Sequence, residues 1–128
     1  MSRALLRHAR VWDFLGRADP FSSVLSHPLG RDGVWDPDEF FASGERDVAL
    51  LMAICDERGL PAQRACALEV GCGLGRLLRP LVQRFERCTG FDVSPSMLAR
   101  AAELNAELVN CEWVCADDVA LDVVARRG

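Results

Sequence analysis

Apolar positions at Leu5, Ala9 and Trp12, with His8 and Leu15 alongside, recur at the 3.6-residue period and predict a first helix from Ser2 to Gly16. Beyond it the period is lost. Pro20, Pro28, Gly30, Gly33 and Pro37 break residues 19–44 into loop and short turns. Phe21, Val24, Leu25, Trp35, Phe40 and Phe41 nevertheless make that segment too apolar for a free linker, so it is expected to lie against the fold. The period returns from Glu45 to Arg58, with Val48, Leu51, Met52 and Cys55 on one face, Ser43 as N-cap, and Gly59 and Pro61 as the stop. Ala65 to Val70 is an apolar run interrupted only by Glu69, the pattern of a strand buried on both faces of a parallel sheet.

Leu77, Leu78, Leu81, Val82 and Phe85 mark a second interior helix, with Pro80 in its opening turns. Cys88 to Val93 reads as the second strand. Ser94 and Pro95 form an N-cap and first-turn pair ahead of a helix whose stripe is Met97, Ala101, Leu104 and Leu108. Cys111 to Ala116 is the third strand and runs into Asp117 and Asp118. Strands alternating with helices predict an α/β fold with a parallel sheet, and right-handed crossovers set the spatial order 3-2-1. Both crossover helices then cover one face, leaving the other face and the outer edge of the first strand open. The expectation is a Rossmann-like domain truncated at its carboxyl end: residues 1–44 form a helix and aromatic-rich arm, and residues 45–128 form the domain's first half.

Composition narrows the function classes. The 128 residues are half apolar, enough for one core, and the net charge of −4 supplies no basic field, so neither nucleic acid nor membrane is expected as a partner. All fifteen basic residues are arginine, which removes P-loop, Schiff-base and protein-kinase chemistry. Six cysteines without framework spacing, and no apolar leader, point to a reducing cytoplasm. Cys111 and Cys115 on one strand would hold their sulfurs about 13 Å apart, too far to share a zinc ion, and no metal site is expected. The acid-free, arginine-bearing opening "MSRALLRHARVW" also has the look of a mitochondrial transit peptide, but Asp13 and Asp19 follow it and its period serves a packed helix equally well. His8 and His27 have no partner at motif spacing and are given no catalytic role.

The chemistry gathers at the strand ends. Gly71, Gly73 and Gly75 occupy a strand-to-helix corner, where glycine admits positive φ or close approach of a ligand. Glu69, Asp92 and Asp117 put an acid at the end of each strand, where open α/β sheets bind ligands; a nucleoside-like ligand is implied. The dinucleotide fingerprint needs glycine at position 76, where Arg76 stands, and Glu69 is unfavourable beside a pyrophosphate but favourable beside an ammonium group. Asp92 suits a ribose diol in either case.

The ordered stretches "ALEVGCGLGR", "GFDVSPSMLARA" and "WVCADD" resemble the first half of a class I S-adenosylmethionine-dependent methyltransferase, over about residues 40 to 118. "WDPDEFFASGERDVALL" resembles, more weakly, the lead-in of bacterial members that act on small molecules. The resemblance implies S-adenosylmethionine as cofactor, with Glu69 facing its methionine amino group. Gly71, Cys72 and Gly73 would let the backbone pass the methionine part, and Gly75 would open the helix beneath it. Asp92 would bind the ribose hydroxyls, Val93 and Met97 would flank the adenine, and Asp117 would accept from its amino group. It further implies methyl transfer to a small-molecule acceptor by residues that follow a fourth strand, so no catalytic residue is assigned within the chain. Two alternatives stand beside it: a cofactor-binding module without turnover, and an NAD-dependent oxidoreductase.

Overall fold

The computed structural model describes residues 3–25 and 34–116. Helices α1 (Arg3–Ala18), α2 (Pro20–Val24) and α3 (Pro37–Glu57) precede an alternating series: β1 (Cys66–Val70), α4 (Leu78–Leu81), β2 (Arg87–Asp92), α5 (Pro95–Leu104) and β3 (Cys111–Cys115). The three strands are parallel in the order β1-β2-β3, the order expected from right-handed crossovers. Glu69 stands opposite Gly90, and Gly90 opposite Trp113. Because side chains alternate along a strand, these residues share the face that α4 and α5 cover, while Leu68, Val70, Thr89 and Val114 share the other. Leu68 is 45% and Val70 66% exposed, so the far side of β1 is open as anticipated.

Three elements differ from the sequence expectation. Residues 19–44 contain α2, capped by Asp19, whose carboxylate accepts from the Ser22 N–H at 3.2 Å, with Pro20 at its first position. Helix α3 begins at Pro37 rather than Glu45, and its cap is Asp36, which accepts from the Asp38 and Glu39 N–H groups at 2.8 and 3.4 Å. Ser43 lies within that helix, donating to the Phe40 carbonyl at 2.6 Å, and Leu51 points outward. Asp-Pro-Asp-Glu is a helix start: a capping acceptor, a residue with helical φ and no N–H to orphan, then two acids at the positive end of the dipole. The helix after the glycines shrinks to Leu78–Leu81, because Pro80 has no N–H to offer the Arg76 carbonyl. Gly44 of α3 closes over that carbonyl; a Cβ on it would stand 2.0 Å from the oxygen.

The aromatic arm does lie down. Trp35, Phe40 and Phe41 are buried with Leu74 and Met97, and Phe21, Val24, Leu25 and Leu104 pack around them. Phe40 meets Phe21, Trp35 and Phe41 edge to face, at centroid distances of 4.9, 5.8 and 5.2 Å. Leu74 belongs to the glycine turn and Met97 to α5, so the arm backs the corner on which the candidate site is built.

Candidate functional site

At the end of β1 the chain turns sharply. Gly71, Gly73 and Gly75 have φ of +77°, +51° and +80°, values that side chains resist. The N–H groups of Gly71 and Cys72 both donate to the Phe91 carbonyl, at 2.7 and 2.9 Å, which ties the turn to the end of β2. Asp92 completes the tie. One carboxylate oxygen accepts from the Gly73 N–H and the other from the Ser94 N–H, each at 2.9 Å. A carboxylate has about four acceptor positions, so two remain for a ligand such as a vicinal diol.

Above this turn lies a cleft of about 370 Å³. Val70, Gly71, Gly73, Asp92, Val93 and Met97 line it from the sheet side; His8 and Trp12 of α1, with Ser23 and Val24 of α2, line it from outside. A Cβ on Gly71 would meet nothing within 4 Å, so the space beside this backbone is free for a ligand. Gly73 and Gly75 differ: a Cβ would strike Val24 at 2.8 Å and Trp113 at 2.5 Å, respectively. Their smallness already serves packing.

Glu69 sits behind the turn rather than on the cleft wall. Its Oε2 is buried and without a hydrogen-bond partner, and burial pushes the carboxyl up to about 7. Arg76 opposes that rise, Asp92 adds to it, and the Leu78 N–H offsets part of it. The Arg76 guanidinium is itself committed to Asp47 at 2.7 Å and Ser43 at 3.1 Å. A buried acid with an orphaned oxygen accommodates one more donor, and a cationic one best of all. The Cys72 thiol is buried against Gly90, and burial raises its pKa, so it is no nucleophile.

Of the residues singled out by sequence, Gly71, Gly73, Asp92, Val93 and Met97 meet on one cleft, Glu69, Cys72 and Gly75 stand behind it, and Asp117 lies outside the described residues, as does His27. His8 and Trp12 were overlooked as site residues. Their spacing of four on one helical face was visible, but it is also the spacing of an ordinary packed helix. Trp12 donates its indole N–H to His8 Nε2 at 2.8 Å. Among the described residues no three His, Cys, Asp or Glu side chains gather closely enough to hold a metal ion, and no helix is long and apolar enough to cross a membrane.

Residues 67–126 match the family described as a methyltransferase domain. The fold is shared with phosphoethanolamine N-methyltransferase 1 of Haemonchus contortus, solved with phosphoethanolamine and S-adenosylhomocysteine. The TM-score is 0.62 at 18% identity, over 91% of this chain and 22% of that one. An S-adenosylmethionine-dependent methyltransferase from Anabaena variabilis aligns with TM-score 0.60 and 24% identity over 93% of this chain and 43% of its own. DhpI, in a complex with S-adenosylmethionine and HEP, aligns with TM-score 0.52 and 20% identity, over 91% and 45% of the two chains. The chain thus spans less than half the length of each of these three. No curated protein matches it in sequence. The fold is that of the class I S-adenosylmethionine-dependent methyltransferases, and the methyltransferase-domain match spans residues 67–126 of the chain.

Proposed function

We propose that the cleft binds S-adenosylmethionine and that the protein transfers its methyl group to a small-molecule acceptor. The observation that carries this reading is the Asp92 clasp: a strand-end carboxylate that fixes the glycine turn with half of its acceptor positions and keeps the rest beside an open cleft. Glu69 stands behind the turn with an unpartnered buried oxygen, and its carboxylate would favour the amino group of the methionine part from there rather than from the cleft wall. Val93 and Met97 offer apolar flanks for the adenine. S-adenosylmethionine, when bound, supplies an already activated methyl on a sulfonium.

What these residues contribute is therefore alignment and exclusion of water. Asp92 fixes the ribose, the backbone at Gly71 lets the methionine part lie close, and α1 and α2 shield the outer side. One of the similar structures was solved with phosphoethanolamine bound, which supports a small acceptor. The competing nicotinamide reading is disfavoured by Arg76 in place of the third fingerprint glycine.

Charge-assisted hydrogen bonds of about 1.5–3 kcal/mol each make Asp92 the residue to test. Asp92→Ala is expected to weaken S-adenosylhomocysteine binding by more than tenfold in calorimetry, with NAD showing no heat of binding to either protein. Equal affinity of wild type and variant would remove the ribose assignment.

A further inference from the structure

Helix α1 is fastened to the start of α5 by contacts that a merely surface-packed helix does not need. Asp13 Oδ1 accepts from the Ser96 N–H at 2.9 Å and from the Ser94 hydroxyl at 3.3 Å, its other oxygen pairs with Arg17, and its carbonyl accepts from the Ser96 hydroxyl at 2.8 Å. Gly16 lies so close that a Cβ there would come within 2.8 Å of Ser96 and 2.9 Å of Met97. Ser94 in turn donates its N–H to Asp92, which holds Gly73, so a continuous hydrogen-bonded path runs from α1 to the glycine turn. Seated this way, α1 directs His8 and Trp12 into the cleft that contains Gly71, Asp92 and Met97.

We propose that His8 and Trp12 form a ligand-contacting wall of this cleft for the S-adenosyl nucleoside, and that Asp13 is the residue that positions them; the proposal rests on the cofactor reading above. The pair is chemically suited to it. Trp12 spends its indole N–H on His8 Nε2, which leaves its ring as an apolar surface for a flat or aliphatic part of the ligand. With Nε2 accepting, the proton of the neutral imidazole resides on Nδ1, and His8 acts toward the ligand as a hydrogen-bond donor rather than a base. The two rings stand edge to face with centroids 6.0 Å apart, so each orients the other. Trp35, by contrast, is buried in the aromatic core, and Trp113 packs against Gly75 and is absent from the cleft lining. Trp12 is therefore the tryptophan whose emission reports occupancy.

The test is a titration of the chain with S-adenosylhomocysteine, followed in parallel by tryptophan fluorescence and calorimetry. Wild type is expected to bind with a change in emission. Trp12→Phe should lose that change and bind roughly three- to tenfold more weakly, because the smaller phenyl ring covers less of the ligand and no longer donates to His8, and His8→Ala should weaken binding to a similar extent. Asp13→Ala should abolish the emission change although Trp12 is present, and Asp13→Asn, which keeps an oxygen facing the Ser96 N–H, should restore it. Circular dichroism accompanies each variant, and if Trp12→Phe does not fold, His8→Ala decides the affinity question. Wild-type binding with undiminished affinity in both Trp12→Phe and His8→Ala would overturn the proposal alone. Absence of any heat of binding in wild type would overturn the cofactor reading and the proposal with it.

Discussion

Glu69 and Asp13 illustrate opposite ways in which a single carboxylate depends on its surroundings. Burial lifts Glu69 from 4.5 to about 7, so its contribution to stability is complete below pH 4.5 and is lost as pH rises through 7. A shift of that size corresponds to on the order of 3 kcal/mol. Asp13 is held down from 3.8 to about 2, first by the Ser96 N–H, so its contribution is present above pH 3.8 and lost only as pH falls through 2. The two windows do not overlap. Urea unfolding should therefore show stability falling between about pH 4.5 and 7, and Glu69→Gln should flatten that slope and be the more stable protein at pH 8. A slope that survives the substitution would assign it to another group. Sequence located Glu69 at a strand end, but that its oxygen would be orphaned depends on Arg76 being drawn off by Asp47, a contact across 29 positions. Asp13 was harder still: its partners lie 81 and 83 residues away, and no local spacing announces them.

Elements whose ends are set locally were legible, and those set by contacts between elements were not. The Ser94-Pro95 start of α5 appears as read, with the Ser94 hydroxyl accepting from the Met97 N–H at 3.1 Å, and the three strands fall within a residue of their expected limits. Helix α3 was misplaced because Pro37 was counted as a loop breaker, although Asp36 before it and the acids after it make it an opening. Asp36→Ala should cost about 1 kcal/mol in thermal or urea melts through the loss of its two accepted bonds. Gly44 sets two effects against each other. Alanine in a helix interior is worth about 1 kcal/mol over glycine, but here its Cβ would stand 2.0 Å from the Arg76 carbonyl, a backbone atom that cannot swing aside. Overpacking of this kind costs about 1–3 kcal/mol, and a contact so short belongs at the upper end. Gly44→Ala should lower the melting temperature despite its better propensity, and a rise would show that α3 can slide along the turn.

At the scale of the whole molecule the covered and uncovered sides of the sheet differ. Helices α4 and α5 close one side, α3 packs against α4, and the aromatic core fills the space between α3, the glycine turn and α5. On the other side β1 presents Leu68 and Val70, 45% and 66% exposed, and among the described residues only β2 pairs with it. A half-open apolar face beside an unpaired strand edge favours association, because a second copy offers both apolar surface and backbone partners. A net charge of −4 opposes this, yet repulsion between such weakly charged copies is screened beyond about 8 Å at physiological salt, so burial prevails. Residues 1–128 alone should therefore sediment with a weight-average mass that rises with protein concentration at 150 mM salt. Leu68→Lys places a charge on that face without touching the cleft, whose wall includes Val70 but not Leu68, and should shift the association to higher concentration while S-adenosylhomocysteine affinity stays unchanged. A wild-type chain that sediments as a single monomer across that range would mean that the far side of β1 is covered in solution, and would remove the open face as a feature of the molecule.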